Sequence, residues 1–425
     1  MSITSNPFFS NKDDELINGD MIRDHMGVLP IWTKVARELV PHLASPISRI
    51  EGIISVLFIY SFAKHKLIGI SEKEFRQYFR LMEGMCEFYL FYESNDNITP
   101  CYGNRLFKIS QKENIIVSKF EKGTFANGLY QYYRGTCRRA KLISQDWEIN
   151  NTVDEIINNH FYGAEHNVAI KILQKEILRI FKSDTKTSLT PNKLLSVNNN
   201  SINKLLYSLF NNEAIRTYIK EAFYSDSELQ YYAQACYESG ITYADNEDLN
   251  RLEKLKAYII EDTKEWQSFS KLENQLNCEP FLNTITDSFN LIQAFKGDKV
   301  GNLINYLTLV KNEISRKAIL FLKLENKFSS PRFDELFIIA KYAKDGDVTN
   351  FIYTLIEYQK NIMAGRDKDP MIDIEGKIIT ALTDYMVDDK ESLLEKIKNN
   401  NQQRNSYFIG TTASIYEQLF VCGDA

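Results

Sequence analysis

Residues 47–65 read ISRIEGIISVLFIYSFAKH, and from Gly52 to Ala63 the run holds neither a charged side chain nor a proline. These twelve residues fall short of the roughly 20 that span a bilayer. Apolar residues lie on all sides of the helical wheel, so the stretch is expected as a helix at the centre of a bundle. Upstream, Pro30, Pro41 and Pro46 bracket a short helix predicted over 31–40 and redirect the chain after it. Downstream, Ser71 and Glu74 have capping-box spacing, and Phe75, Tyr78, Phe79, Met82, Cys86 and Tyr89 follow at helical intervals. That stripe would pack on the first helix.

The rest of the chain extends the pattern. Only 18 Gly and 9 Pro punctuate 425 residues, which favours long helices over many short strands. Two helices are expected over 152–182, broken near Gly163, then others near 202–210, 214–223, 226–239 and 245–272. After Pro280 come segments near 281–295, 299–325, 333–343, 348–363, 390–398 and 413–420. MIDIEGKIIT, residues 371–380, alternates around Glu375 and Gly376 and reads as one small β-hairpin. The fold class is therefore all-α: an N-terminal bundle over 1–183 and a C-terminal helical region over 202–425. The polar, aperiodic run at 184–201 is the expected linker. No residue pattern recurs with a solenoid period.

Charge singles out one region. The chain carries a net −5, yet between Cys101 and Gln145 there are nine Lys or Arg against two Glu. Within it, FANGLYQYYRGTCRRAKLI (Phe125–Ile143) is basic and aromatic together. If the chain is helical after Gly128, Tyr130, Arg134, Arg138 and Lys141 share one face while Leu129, Tyr133, Cys137 and Ala140 line another. Gly135 could divide the helix. Two readings fit this face: a solvated surface balanced by acids elsewhere, or a contact surface for DNA, RNA or an acidic protein. The functional expectation is a non-enzymatic binding or scaffold component that uses Arg134, Arg138, Arg139 and Lys141, with no metal and no cofactor.

Several chemistries lack their signatures. There is no GxxxxGK[ST] loop, GxGxxG turn, HExxH or GxSxG motif. His160, Glu165 and His166 offer ligand types, but the six-residue step between the two histidines does not place both on one helix face. The alternative function is a metal-dependent nuclease centred on Asp373, Glu375 and Lys377, in which two carboxylates would hold a divalent ion and the lysine would steady water or phosphate. Six dispersed cysteines without a CxxC pair, and a start without a signal-peptide pattern, are the expectation for a reduced, cytoplasmic protein outside the membrane.

Three patches carry a resemblance: LVPHLASPISRIEGIISVLFIYSFAKH (Leu39–His65), GLYQYYRG (Gly128–Gly135) and AGRDKDP (Ala364–Pro370). Together they resemble uncharacterised, mostly helical proteins encoded in prokaryotic phage-defence or mobile-element gene clusters. The resemblance implies a bacterial antiviral accessory component acting beside an ATPase, helicase or nuclease subunit, with Arg49 and Arg134 as the residues carried over.

Overall fold

The computed structural model describes residues 24–44, 47–67, 69–93, 104–120, 128–183, 187–197, 201–240, 251–261, 266–381, 388–399 and 403–422. In chain order these form α1 (Leu29–Ala36), α2 (Ile50–Lys66), α3 (Glu72–Tyr92), α4 (Asn104–Ile109) and β1 (Val117–Ser118). A π-helical segment (Leu129–Tyr133) then leads into α5 (Arg134–Arg139). Next come α6 (Asn151–Phe161), α7 (Asn167–Lys182), β2 (Ser188–Leu189), α8 (Pro191–Val197), α9 (Ser201–Phe210), α10 (Glu213–Tyr224) and α11 (Ser227–Glu238). The remainder is α12 (Arg251–Glu261), α13 (Phe269–Ala294), α14 (Val300–Thr308), α15 (Lys311–Leu322), α16 (Pro331–Lys344) and α17 (Val348–Ala364). The hairpin β3 (Ile372–Glu375) and β4 (Ile378–Ala381), then α18 (Lys390–Asn399) and α19 (Ile409–Tyr416), complete it. The fold is all-α with two small antiparallel pairs, β1 with β2 and β3 with β4.

The chain divides into two compact units, one of Met1–Glu38 with Glu247–Tyr407 and one of Leu39–Asn246 with Phe408–Ala425. The boundary expected at 184–201 falls inside the second unit. There β2 pairs with β1 and α8 packs on α3, burying Leu189, Leu194 and Leu195. The polar composition of this run reads as a linker, but its few leucines dock it.

In the second unit α2 is buried continuously from Ile50 to Ala63. The capping box that starts α3 is complete: the Glu74 N–H donates to Ser71 Oγ at 3.3 Å, and the Ser71 N–H donates to Glu74 Oε2 at 2.8 Å. Two glycines let neighbouring side chains lie against bare backbone. A Cβ on Gly52 would overlap the Tyr133 ring, and one on Gly84 would lie 2.5 Å from a Val117 methyl group. Asp154 of α6 ties that helix to α2, accepting from Ser61 Oγ at 2.6 Å and lying 2.7 Å from Lys64 Nζ and 3.0 Å from His65 Nε2. Burial works against its carboxylate, but hydrogen bonds from Lys64, Ser61 and His65 outweigh it and lower the pKa. The last segment returns to the start of α2, where Gln418 accepts the Ile50 N–H at 3.0 Å and donates to the Ser48 carbonyl at 2.8 Å.

The first unit is organised on α13, against which α1, α15 and α18 pack. The helix runs through Pro280 instead of restarting after it. An internal proline costs about 3 kcal/mol. Phe281, Leu282, Ile285, Phe289 and Ile292 are buried along the same helix, and each contributes about 1.5–3 kcal/mol, so packing outweighs the break. Arg404 makes a two-pronged contact with Asp287, at 2.7 and 2.8 Å, and Glu279 accepts the Arg404 N–H at 2.6 Å, which fastens residues 404–405 to α13. The single helix expected over 299–325 is two, α14 and α15, separated by a turn at Leu309 and Val310.

Because Tyr133 fills the space above Gly52, Gly52→Ala is expected to lower the unfolding free energy by about 1–3 kcal/mol, read by denaturant titration. Combined with Tyr133→Leu, which frees that space, the loss should be clearly less than additive. Strict additivity contradicts the contact.

Candidate functional site

The basic stretch begins as a helix at Gly128 and does not break at Gly135, where a Cβ would touch only the Arg139 side chain, at 3.4 Å. Leu129, Tyr133, Thr136 and Cys137 form its buried face. At its start the Leu129 N–H donates to Glu83 Oε1 at 2.6 Å, and the N–H groups of Gly128 and Tyr130 also bear on that carboxylate. Glu83 is fully buried on α3. Burial pushes its pKa up to about 7, against the pull of those backbone N–H groups and of Arg80.

On the other side of the helix, arginine and aromatic rings alternate. The Arg134 guanidinium lies 3.7 Å from the centroid of Tyr130 and 3.9 Å from that of Trp147. Arg138 sits 4.3 Å over Trp147, Arg76 lies 5.5 Å from Tyr130, and Phe79 meets Tyr130 edge-on at 5.1 Å. Trp147 is aimed by a tight turn in which Ser144 Oγ accepts the N–H groups of Asp146 and Glu148 at 3.2 and 3.1 Å. Its own φ of 63° is left-handed, a conformation that L residues adopt only at a cost.

Each cation–ring contact of this kind contributes about 0.5–2 kcal/mol, depending on desolvation. Among the described residues, neither Arg134 nor Arg138 has a carboxylate at ion-pair distance, and Arg134 Nε is buried without a hydrogen-bond partner. Burial raises the pKa of the Tyr60 hydroxyl, and Arg134 beside it pulls the other way. A guanidinium laid on a ring keeps the N–H donors that lie in its own plane. The arrangement can hold an anion.

The other sequence candidates lie elsewhere. Arg139 turns inward instead of outward: it donates to the His42 carbonyl at 3.2 and 3.1 Å and to Thr136 Oγ1 at 3.0 Å, closing the end of α5 on a distant stretch of chain. The neighbouring His42 ring packs on Phe223 at 4.3 Å, and burial, with Arg139 adding to it, pushes its pKa down to about 3. Lys141 is exposed but lies past the end of α5 with φ 59°, so it leaves the shared face that a longer helix would have given it. Arg49 stands just before α2 and pairs with Glu51 in its first turn, Nε lying 3.0 Å from the carboxylate. Two further cations of the basic region are engaged inside the unit. Lys112 pairs with Glu93, and buried Lys119 donates to the Ile180 carbonyl at 3.2 Å, near the end of α7. The positive field is thus narrower than the sequence count suggests.

Asp373, Glu375 and Lys377 form the β3–β4 hairpin, with Glu375 opposite Ile378 and Gly376 at φ 66°. Asp373 is held 2.7 Å from Lys360 Nζ, and this contact, with the Ile374 N–H, lowers its pKa. Among the described residues no three His, Cys, Asp or Glu side chains converge as a metal-ligand set. His160 bonds the Ile156 carbonyl at 2.8 Å, and His166 stacks on Phe161. Cys86, Cys137, Cys236 and Cys278 are buried free thiols, and Cys101 lies outside the described residues. No described helix is long and apolar enough to cross a membrane.

Sequence reasoning missed Trp147, Arg76 and Glu83. Arg76 and Glu83 sit on α3 and read as parts of an ordinary amphipathic helix, and Trp147 lies in a turn with no periodic relation to Arg134. No family model matches the chain, and comparison with curated proteins and with solved structures gives no match.

The raised pKa of Glu83 has a signed consequence. Its ordinary value is 4.5 and its folded value about 7, so its contribution to stability is fully present below pH 4.5 and is lost as the pH rises through 7. Glu83→Gln keeps an acceptor for the Leu129 N–H and cannot ionise. In thermal unfolding the wild type should therefore gain stability relative to this variant as the pH falls from about 8 to about 5. A constant difference across that range contradicts the buried carboxylate.

Proposed function

We propose that the protein is a non-enzymatic nucleic-acid-binding component that holds its ligand through Arg134 and Arg138. One observation carries this reading: both guanidiniums are pressed on aromatic rings, with no carboxylate at ion-pair distance among the described residues. Immobilising an arginine on a ring removes rotamer freedom before any ligand arrives, so less is lost on binding. The two arginines stand one helical turn apart, about 6 Å along the axis, a step comparable with that between successive phosphates of one strand. Each fork can take two phosphate oxygens. An acidic protein is the competing occupant. The accessory role beside an ATPase, helicase or nuclease rests on the sequence resemblance alone.

The test is fluorescence anisotropy with labelled duplex DNA, single-stranded DNA and RNA. Arg134 and Arg138 offer two cations on the shared face. Two phosphate contacts predict a loss of affinity for duplex of about 12-fold between about 50 and 200 mM salt. The Arg134→Glu/Arg138→Glu variant, checked for folding by circular dichroism, should lose binding to all three ligands. Absence of binding to any of them at the lower salt concentration rejects nucleic acid in favour of an acidic protein.

A further inference from the structure

We infer that this surface engages the sugar–phosphate backbone and leaves the bases unread, so that its ligand is a strand of any sequence. The inference rests on the nucleic-acid reading above and adds the part of the strand that is touched. The aromatic rings beside the basic row are the groups on which a base would stack, and both already have guanidinium partners. Arg134 covers Tyr130 at 3.7 Å and Trp147 at 3.9 Å, and Arg138 covers Trp147 at 4.3 Å. Phe79 packs against Tyr130 as well, edge to face at 5.1 Å. A base arriving at a covered face would have to displace the same guanidinium that holds the phosphate, so stacking and phosphate contact compete for one position.

The geometry also fixes what the arginines offer. Arg134 already lies against two rings and Arg138 against one, so laying either guanidinium plane on a base, the other stacking mode open to arginine, competes with those contacts. The in-plane N–H donors of Arg138 match paired oxygens of a phosphate, while part of the Arg134 edge faces the buried Tyr60 hydroxyl. Tyr130 and Trp147 therefore act as positioning residues that orient the arginines, and the contacts to ligand come from Arg134 and Arg138.

The experiment uses the full chain and two single-stranded oligomers of equal length, about 20 units, long enough for a typical single-strand site. One is mixed-sequence DNA. The other carries an abasic tetrahydrofuran residue at every position, which keeps each phosphate and removes each base. The expected result is dissociation constants within about threefold of one another at equal salt, because the phosphate contribution is unchanged. Arg138→Gln, which deletes a cation without adding an acid, should weaken both oligomers by the same factor. Binding of the abasic oligomer at least about tenfold weaker than of the natural one would overturn the inference while leaving nucleic-acid binding intact, since a lost stacking contact has that size. Failure of both oligomers and of duplex to bind would overturn the inference together with the reading beneath it.

Discussion

The Glu83 carboxylate, buried on α3, accepts the Leu129 N–H at 2.6 Å, and that contact anchors the start of the helix that carries Arg134, Arg138 and Arg139. The helix that follows is short, and a helix of this length is marginal in isolation because its first turn fixes several residues for a single hydrogen bond. It persists because it is held at three points. Glu83 takes up its first donors, Tyr133 lies over the bare backbone of Gly52, and Arg139 fastens its end to the His42 carbonyl. Three anchors set its rotation as well as its position. With Tyr133 and Cys137 fixed inward, Arg134 and Arg138 face Trp147.

Elsewhere in the same unit charges find opposite charges. Lys64 meets Asp154 at 2.7 Å, Arg49 meets Glu51 at 3.0 Å, and Lys112 meets Glu93. Such pairs neutralise the cations that form them and lock one helix to another, as Asp154 does for α2 and α6. Arg134 and Arg138 are settled differently. A ring face stabilises a guanidinium through its quadrupole while leaving the full positive charge and the edge donors in place. The result is a cation that is ordered and still able to take an anion. The chain's net charge of −5 would oppose such a ligand in general, so the proposed binding rests on local geometry and not on overall charge.

Much of the fold was legible in local patterns. The uninterrupted apolar run of residues 52–63 placed a buried helix, and Ser71 with Glu74 marked the start of α3 because a capping box is closed by residues three apart. The hairpin at 372–381 was visible in its alternation and its glycine. The failures have a common cause in distant partners. Pro280 looked like a stop, yet the apolar residues around it are buried against other helices. The run at 184–201 reads as a linker, although Leu189, Leu194 and Leu195 within it dock on elements far away in sequence. At the candidate site the row Tyr130, Arg134 and Arg138 could be read from its spacing. The inward turn of Arg139 could not, because its acceptor lies 97 residues earlier, and neither could Trp147, whose direction is set by the turn at Ser144.

The proposed surface is tested most directly by asking which arginines a bound strand covers. Phenylglyoxal modification followed by peptide mass spectrometry reports the accessibility of each guanidinium in the free and nucleic-acid-bound protein. Arg138 should react in the free protein and be protected when single-stranded DNA is added, while Arg139, tied to the His42 carbonyl, should react poorly in both states. Equal reactivity of Arg138 with and without DNA under binding conditions, or ready modification of Arg139, would contradict the placement of the site on this face of the helix.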